Sequence, residues 1–191
     1  MRLGLPFALF GAALACQQAH AVETVHVGVL KHNVGVLNAK TEGREGGVNV
    51  EVQADFASPG FLGWAGAPKP YVIASLNTAG DTSFAGVGLQ WRIPVGAKWS
   101  LDPGFGYVIH SGEVDNPFAN GDPRATRFSS ENLLFGSRDL FRSTLGVTRE
   151  LAGPWSGQVF YNHLSHGQVL GKGRNQGVDQ VGVRLAYKLS K

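Results

Sequence analysis

From Val48 to Phe56 the chain alternates without interruption: Val48, Val50, Val52, Ala54 and Phe56 are apolar, and Asn49, Glu51, Gln53 and Asp55 between them are polar. Residues two apart in an extended strand share a face, so this segment has one apolar and one polar side. The same period governs Ala85 to Ile93 and Trp99 to Ile109. Eight such segments can be read, at about 24–37, 47–57, 70–77, 83–94, 98–111, 138–151, 155–166 and 177–189. Turn-forming Gly, Pro, Asn and Asp separate most of them. The alternation predicts no amphipathic helix, and the longest polar connection, from Ser111 to Asp139, is read as a loop. All of this fits one all-β domain over residues 22–191.

Alternation does not say which face points inward, because a soluble barrel hides its apolar side and a membrane barrel exposes it. The first 21 residues have the form of a secretory signal peptide: Arg2, an apolar run from Leu3 to Ala15, and the small-residue site Ala19-His20-Ala21. The only cysteine, Cys16, falls in that leader, so the mature chain has neither disulfides nor thiolate metal sites. Charged residues are 16% of the chain, below the roughly 25% of a soluble domain, while glycine is abundant at 27 residues. The polar faces carry glycines, amides and charges of both signs, and Arg142, Glu150 and Arg184 read as ion pairs of a packed polar lumen. Trp91, Trp99, Trp155, Tyr107 and Tyr187 sit near strand ends on the apolar faces, as in the aromatic girdles of membrane barrels. Together these features predict an eight-stranded antiparallel transmembrane β-barrel of the outer-membrane type, contacting outer-membrane lipid. The chain ends in Tyr187-Lys188-Leu189-Ser190-Lys191, without the terminal aromatic usual in such barrels. A periplasmic lipocalin-like carrier is the soluble alternative. A net charge of +3 with no basic stripe excludes nucleic acid as a partner.

Chemistry concentrates in the last hairpin, where His163-Leu164-Ser165 precedes Asn175-Gln176-Gly177-Val178-Asp179. Parity puts Tyr161, His163 and Ser165 on the apolar face of one strand. Asp179 lies on the apolar face of the next, with Val181, Val183, Leu185 and Tyr187. Polar groups on a lipid face carry a desolvation cost that packing alone would not select. If His163 opposes Asp179, their Cβ atoms lie about 5 Å apart, which suits a carboxylate orienting an imidazole that deprotonates a serine. A His-x-Ser alone is common, and Asp179 alone is compatible with a strand-end turn. With both termini periplasmic, this hairpin connection is extracellular.

At these residues the sequence resembles the lipid A 3-O-deacylases of the PagL type, also labelled acyloxyacyl hydrolases. Their pattern is a His-x-Ser ending strand seven, then Asn-x-Gly-x-acid opening strand eight. Fainter likeness runs through Gly28-Val29-Leu30, Phe56-Ala57-Ser58-Pro59, Val108-Ile109-His110-Ser111-Gly112 and Leu134-Phe135-Gly136-Ser137. The resemblance implies an eight-stranded barrel in the bacterial outer membrane. It also implies hydrolysis of the acyl chain ester-linked at the lipid A 3-position, without metal or other cofactor. It implies Ser165 as nucleophile, His163 as base and Asp179 as orienting acid, with the His166 and Gln168 backbone amides as oxyanion donors and Asn175 tying the loop. Three departures stand out: Asp179 replaces Glu, the serine-to-acid gap is about two residues longer, and His166 and Gln168 replace Asn and Gly.

The alternative function is a non-catalytic structural or adhesive barrel that kept the hairpin shape, and a homodimer is left open. His26, His32 and His110 have lumen parity and read as polar filler, and His166 as a solvated loop residue. No His, Asp or Glu set has metal-ligand spacing. Gly171-Lys172-Gly173-Arg174 lacks the strand-to-helix context of a phosphate loop, although its two cations suit lipid A phosphates.

Overall fold

The computed structural model describes residues 21–37, 41 and 43–189. The expected signal peptide, Cys16 included, lies outside the described residues except for Ala21. The strands are β1 (Val22–Lys31), β2 (Val48–Phe56), β3 (Lys69–Asn77), β4 (Phe84–Gln90), β5 (Ile93–Gly96), β6 (Trp99–His110), β7 (Asp139–Glu150), β8 (Trp155–Ser165) and β9 (Val178–Lys188). β4 and β5 are two pieces of one stave, and both pair with β6. The sheet runs β4-β3-β2-β1-β9-β8-β7-β6, all antiparallel, and the β4–β6 pairing closes it into a ring of eight staves. The first strand also meets the last, from Thr24↔Lys188 to Lys31↔Val181.

The barrel is apolar outside and polar within. Val48, Val50 and Val52 are exposed while Asn49, Glu51 and Gln53 are buried, as the alternation requires of a membrane barrel. Trp99, Trp155 and Tyr187 also face outward, and Trp155 packs edge-on against Tyr187 with centroids 4.8 Å apart.

Glu51 organises the lumen. Its carboxylate faces the Arg142 guanidinium at 3.5 Å and that of Arg184 at 3.4 Å. Arg184 further donates to Gln53 at 2.9 Å and Gln158 at 2.5 Å, and Arg142 donates to the Tyr71 hydroxyl at 3.1 Å. Tyr71 crosses the lumen because Gly88 and Gly106 lack side chains: a Cβ at either would collide with its phenol ring. Glu150, expected in this network, is instead exposed at the end of β7, too far along the strand to point into the lumen.

Two other expectations are corrected. β1 stops at Lys31 rather than continuing to 37. The segment after it folds as a strap along the outer wall, with Val34 N–H donating to the Asp179 carbonyl at 2.9 Å. The polar connection before β7 contains a helix, α1 (Pro123–Glu131), capped by Asp122, whose carboxylate accepts from Arg124 N–H at 2.8 Å. Asp122-Pro123 is a legible helix start, but α1 buries none of its residues and so shows no apolar stripe. The connection at 57–68 contains a 3-10 turn, Gly60–Ala65, held by the Trp91 indole N–H on the Ala65 carbonyl at 2.8 Å. This turn exposes Phe61 and Trp64 on the rim that bears the chain termini.

The connections 32–47, 78–83, 111–138 and 166–177 emerge at the opposite end, where the extracellular loops of outer-membrane barrels lie. Glu45 ties three of them together, 32–47, 78–83 and 111–138. Its carboxylate accepts from His32 at 3.0 Å, Thr82 N–H at 3.2 Å and Leu133 N–H at 3.1 Å. Burial alone would raise this carboxyl, but those hydrogen bonds outweigh it and hold the group below its ordinary value of 4.5.

Two outcomes follow. Glu51→Ala leaves two guanidiniums buried without their carboxylate, and it should destabilise the barrel by about 3–5 kcal/mol. The check is a lower temperature at which the folded electrophoretic band converts to the unfolded one. A carboxyl depressed in the folded state contributes stability that is full above its ordinary value and is lost as pH falls through the native one. Cleavage of the 111–138 connection by an acid-active protease should therefore rise below about pH 4.5. In Glu45→Gln the same cleavage should be fast at every pH.

Candidate active site

β8 and β9 bring the hairpin residues together through register. His163 lies directly opposite Asp179, Tyr161 opposite Val181, and Ser165 opposite Phe141 of β7. His163 Nδ1 is 2.7 Å from Asp179 Oδ1, and His163 Nε2 is 3.1 Å from Ser165 Oγ. A carboxylate can only accept, so the imidazole proton resides on Nδ1 and leaves the Nε2 lone pair toward the serine hydroxyl. The series acid–imidazole–hydroxyl is thus complete, on the outer wall at the end of the barrel that carries the long connections.

Asp179 does not face hydrocarbon, although its parity is that of the lipid side. It is fully buried, whereas the His163 side chain keeps 21% exposure. Among the described residues two groups cover it. The Tyr161 hydroxyl donates to Oδ1 at 2.6 Å, and the Leu37 N–H of the strap donates to Oδ2 at 2.5 Å. A carboxylate transferred from water without such donors would be costly enough to take up a proton instead. Neither donor carried a role in the sequence reading. Tyr161 was visible only as a face-mate of His163, and a strap 142 residues away in sequence gives no local signal.

The turn after Ser165 is built around His166. Its side chain is fully buried, not solvated as expected. Nε2 donates to the Arg174 carbonyl at 2.8 Å, and Nδ1 accepts from Gln168 N–H at 3.1 Å. The His166 N–H donates to Asn175 Oδ1 at 3.2 Å. Asn175 therefore ties the connection across its own ends. The two amides expected as oxyanion donors, those of His166 and Gln168, are both occupied inside the turn, because the buried imidazole and the Asn175 side chain accept from them. Gln168 has φ +59°, in the left-handed region that favours glycine. Lys172 and Arg174 are exposed at the loop tip, so their side chains are presented to solvent rather than folded into the site.

Gly136, at φ +77°, lies against this turn, and a Cβ there would collide with the Arg174 carbonyl that His166 uses. Gly136→Ala should leave the barrel folded but open the turn. Amide exchange over 166–177 is expected to quicken about ten-fold or more, since the added methyl brings both the clash and a left-handed backbone cost.

The family model for lipid A 3-O-deacylase (PagL) matches residues 85–188, more than half of the chain. Among curated proteins none matches the sequence. The crystal structure of the outer membrane enzyme PagL is similar in fold, with a TM-score of 0.58 at 14% identity, over 87% of this chain and 99% of that one. Two de novo designed transmembrane β-barrels score lower. One has a TM-score of 0.49 at 13% identity over 88% and 98% of the two chains. The other has 0.47 at 9% over 91% and 100%. The matched span holds β8, β9 and the connection between them, and thus Ser165, His163 and Asp179, and on that match the chain belongs to the lipid A 3-O-deacylase (PagL) family.

Proposed function

We propose that Ser165, His163 and Asp179 are the catalytic triad with which this outer-membrane lipid A 3-O-deacylase cleaves its substrate. The observation that carries the reading is the unbroken hydrogen-bond series from Asp179 through His163 to Ser165 at 2.7 and 3.1 Å. As Ser165 Oγ attacks the carbonyl of the 3-O-linked acyl chain, His163 Nε2 takes the hydroxyl proton. Asp179 holds the ring in position and balances the imidazolium. Collapse of the tetrahedral intermediate breaks the ester bond, and the proton passes from His163 to the departing sugar oxygen. Water then attacks the acyl-serine with His163 again as base, releasing the fatty acid.

Position supports the same reading. Ser165 ends β8 on the outer wall, beside the exposed apolar staves, so an acyl chain in the outer leaflet can lie along the barrel while its ester reaches the rim. Lys172 and Arg174, exposed on the connection just above, suit the phosphates of lipid A. Of the amides after Ser165, those of His166 and Gln168 hold the turn. One barrel supplies every group in this mechanism. Cleavage of residues 1–21 as a signal peptide is part of the proposal, since the barrel must be exported to reach this lipid.

The test is the mass spectrum of lipid A from cells expressing the protein. Wild type should remove one hydroxyacyl mass, and Ser165→Ala and His163→Ala should lose that product by a factor of about a thousand or more. Identical spectra for wild type and Ser165→Ala would refute the triad.

A further inference from the structure

We infer that Tyr161 is a positioning residue of the reaction: its phenol hydroxyl, with the Leu37 backbone N–H, fixes the Asp179 carboxylate in the orientation from which it holds His163. The inference rests on the triad reading above.

Asp has a single methylene, so its carboxylate rotates about one short stem, and a single imidazole contact does not determine its plane. Here both oxygens are engaged. Oδ1 receives Tyr161 Oη–H at 2.6 Å and His163 Nδ1–H at 2.7 Å, while Oδ2 receives Leu37 N–H at 2.5 Å. Three donors on two oxygens fix the plane of the group. Geometry explains why a tyrosine can do this. Tyr161 is on the same face of β8 as His163, two residues before it, and is diagonal to Asp179 across the hairpin. Diagonal neighbours are about 7–8 Å apart, within reach of a phenol but not of a short hydroxyl side chain.

The competing reading is a girdle tyrosine with its hydroxyl toward lipid headgroups. It fits poorly, because Tyr161 lies four residues below the end of β8 and its hydroxyl is spent on a fully buried carboxylate. Packing alone would be served equally by phenylalanine. Among the described residues the strap meets Asp179 through backbone amides, Val34 N–H on its carbonyl and Leu37 N–H on Oδ2, while the Asn33 side chain turns to the Thr41 and Arg44 carbonyls. The charged side chains offered from the flanking strands are Lys31 on β1, opposite Val181, and Asp139 on β7, two residues beyond Phe141.

The phenol also shares the negative charge of the carboxylate.

The experiment uses the full-length protein in detergent with purified lipid A, comparing wild type, Tyr161→Phe, Asp179→Asn, the Tyr161→Phe/Asp179→Asn double variant and Ser165→Ala. Heat-dependent gel mobility verifies that each barrel is folded, and Tyr161→Leu, which removes the same hydroxyl, is carried in parallel. Tyr161→Phe is expected to lower kcat about ten-fold with KM little changed. The double variant should be no slower than Asp179→Asn alone, because the hydroxyl acts through that carboxylate. Wild-type kcat in Tyr161→Phe, or multiplicative losses in the double variant, would overturn the assignment of Tyr161 while an inactive Ser165→Ala leaves the triad standing. Activity surviving in Ser165→Ala would instead overturn the triad, and this inference with it.

Discussion

Hydrocarbon offers backbone N–H and C=O groups no partner, and each group left unpaired there costs several kcal/mol. Closure of the sheet is therefore the constraint on which everything else in this protein depends. It is met by the pairing of β1 with β9 and by the joint pairing of β4 and β5 with β6. Once the ring is closed, each stave must show lipid an apolar side, and the polar residues are left to fill the interior. Glu51 and its two arginines, with Tyr71 crossing past Gly88 and Gly106, join opposite walls of that interior through paired polar side chains.

The site inverts this rule locally. Ser165, His163 and Asp179 share the outward parity, which suits a substrate whose ester lies in the outer leaflet and not in water. The cost of an acid at such a position is offset by covering it. The strap from the β1–β2 connection and the Tyr161 ring bury Asp179 completely, yet His163 and Ser165 keep access to the outside. The same β1–β9 seam that closes the barrel places the strap on the acid, so closure and site assembly are one structural event.

Much of the architecture was legible in the residues because the period of a strand is fixed. The eight alternating segments match the eight staves closely, and the parity count puts Ser165, His163 and Asp179 on one wall. Legibility failed where structure depends on contacts distant in sequence. The alternating segment carries β1 on to residue 37, although Val34 and Val36 take the inward parity of His26 and His32 rather than the outward parity of Val25, Val27 and Val29. Helix α1 was read as loop because it has no buried face. Glu150 was assigned to the lumen by sign and parity, although strand length places it at the rim. The role given to the His166 and Gln168 amides came from resemblance. In this chain a buried imidazole at 166 captures one amide, and Asn175 captures the other.

The sequence by itself determined the strand period, the face on which each residue lies, the polar lumen and the spacing that lets a histidine, a serine and an acid meet across one hairpin. These are properties of the extended chain, in which successive side chains must point to opposite sides. Only the tertiary structure decided that Asp179 is sealed from lipid, that Glu51 is the carboxylate both arginines share, and which amides of the turn are already occupied. Those outcomes depend on where a strap 142 residues away and the opposite wall of the barrel come to rest, which no local pattern encodes.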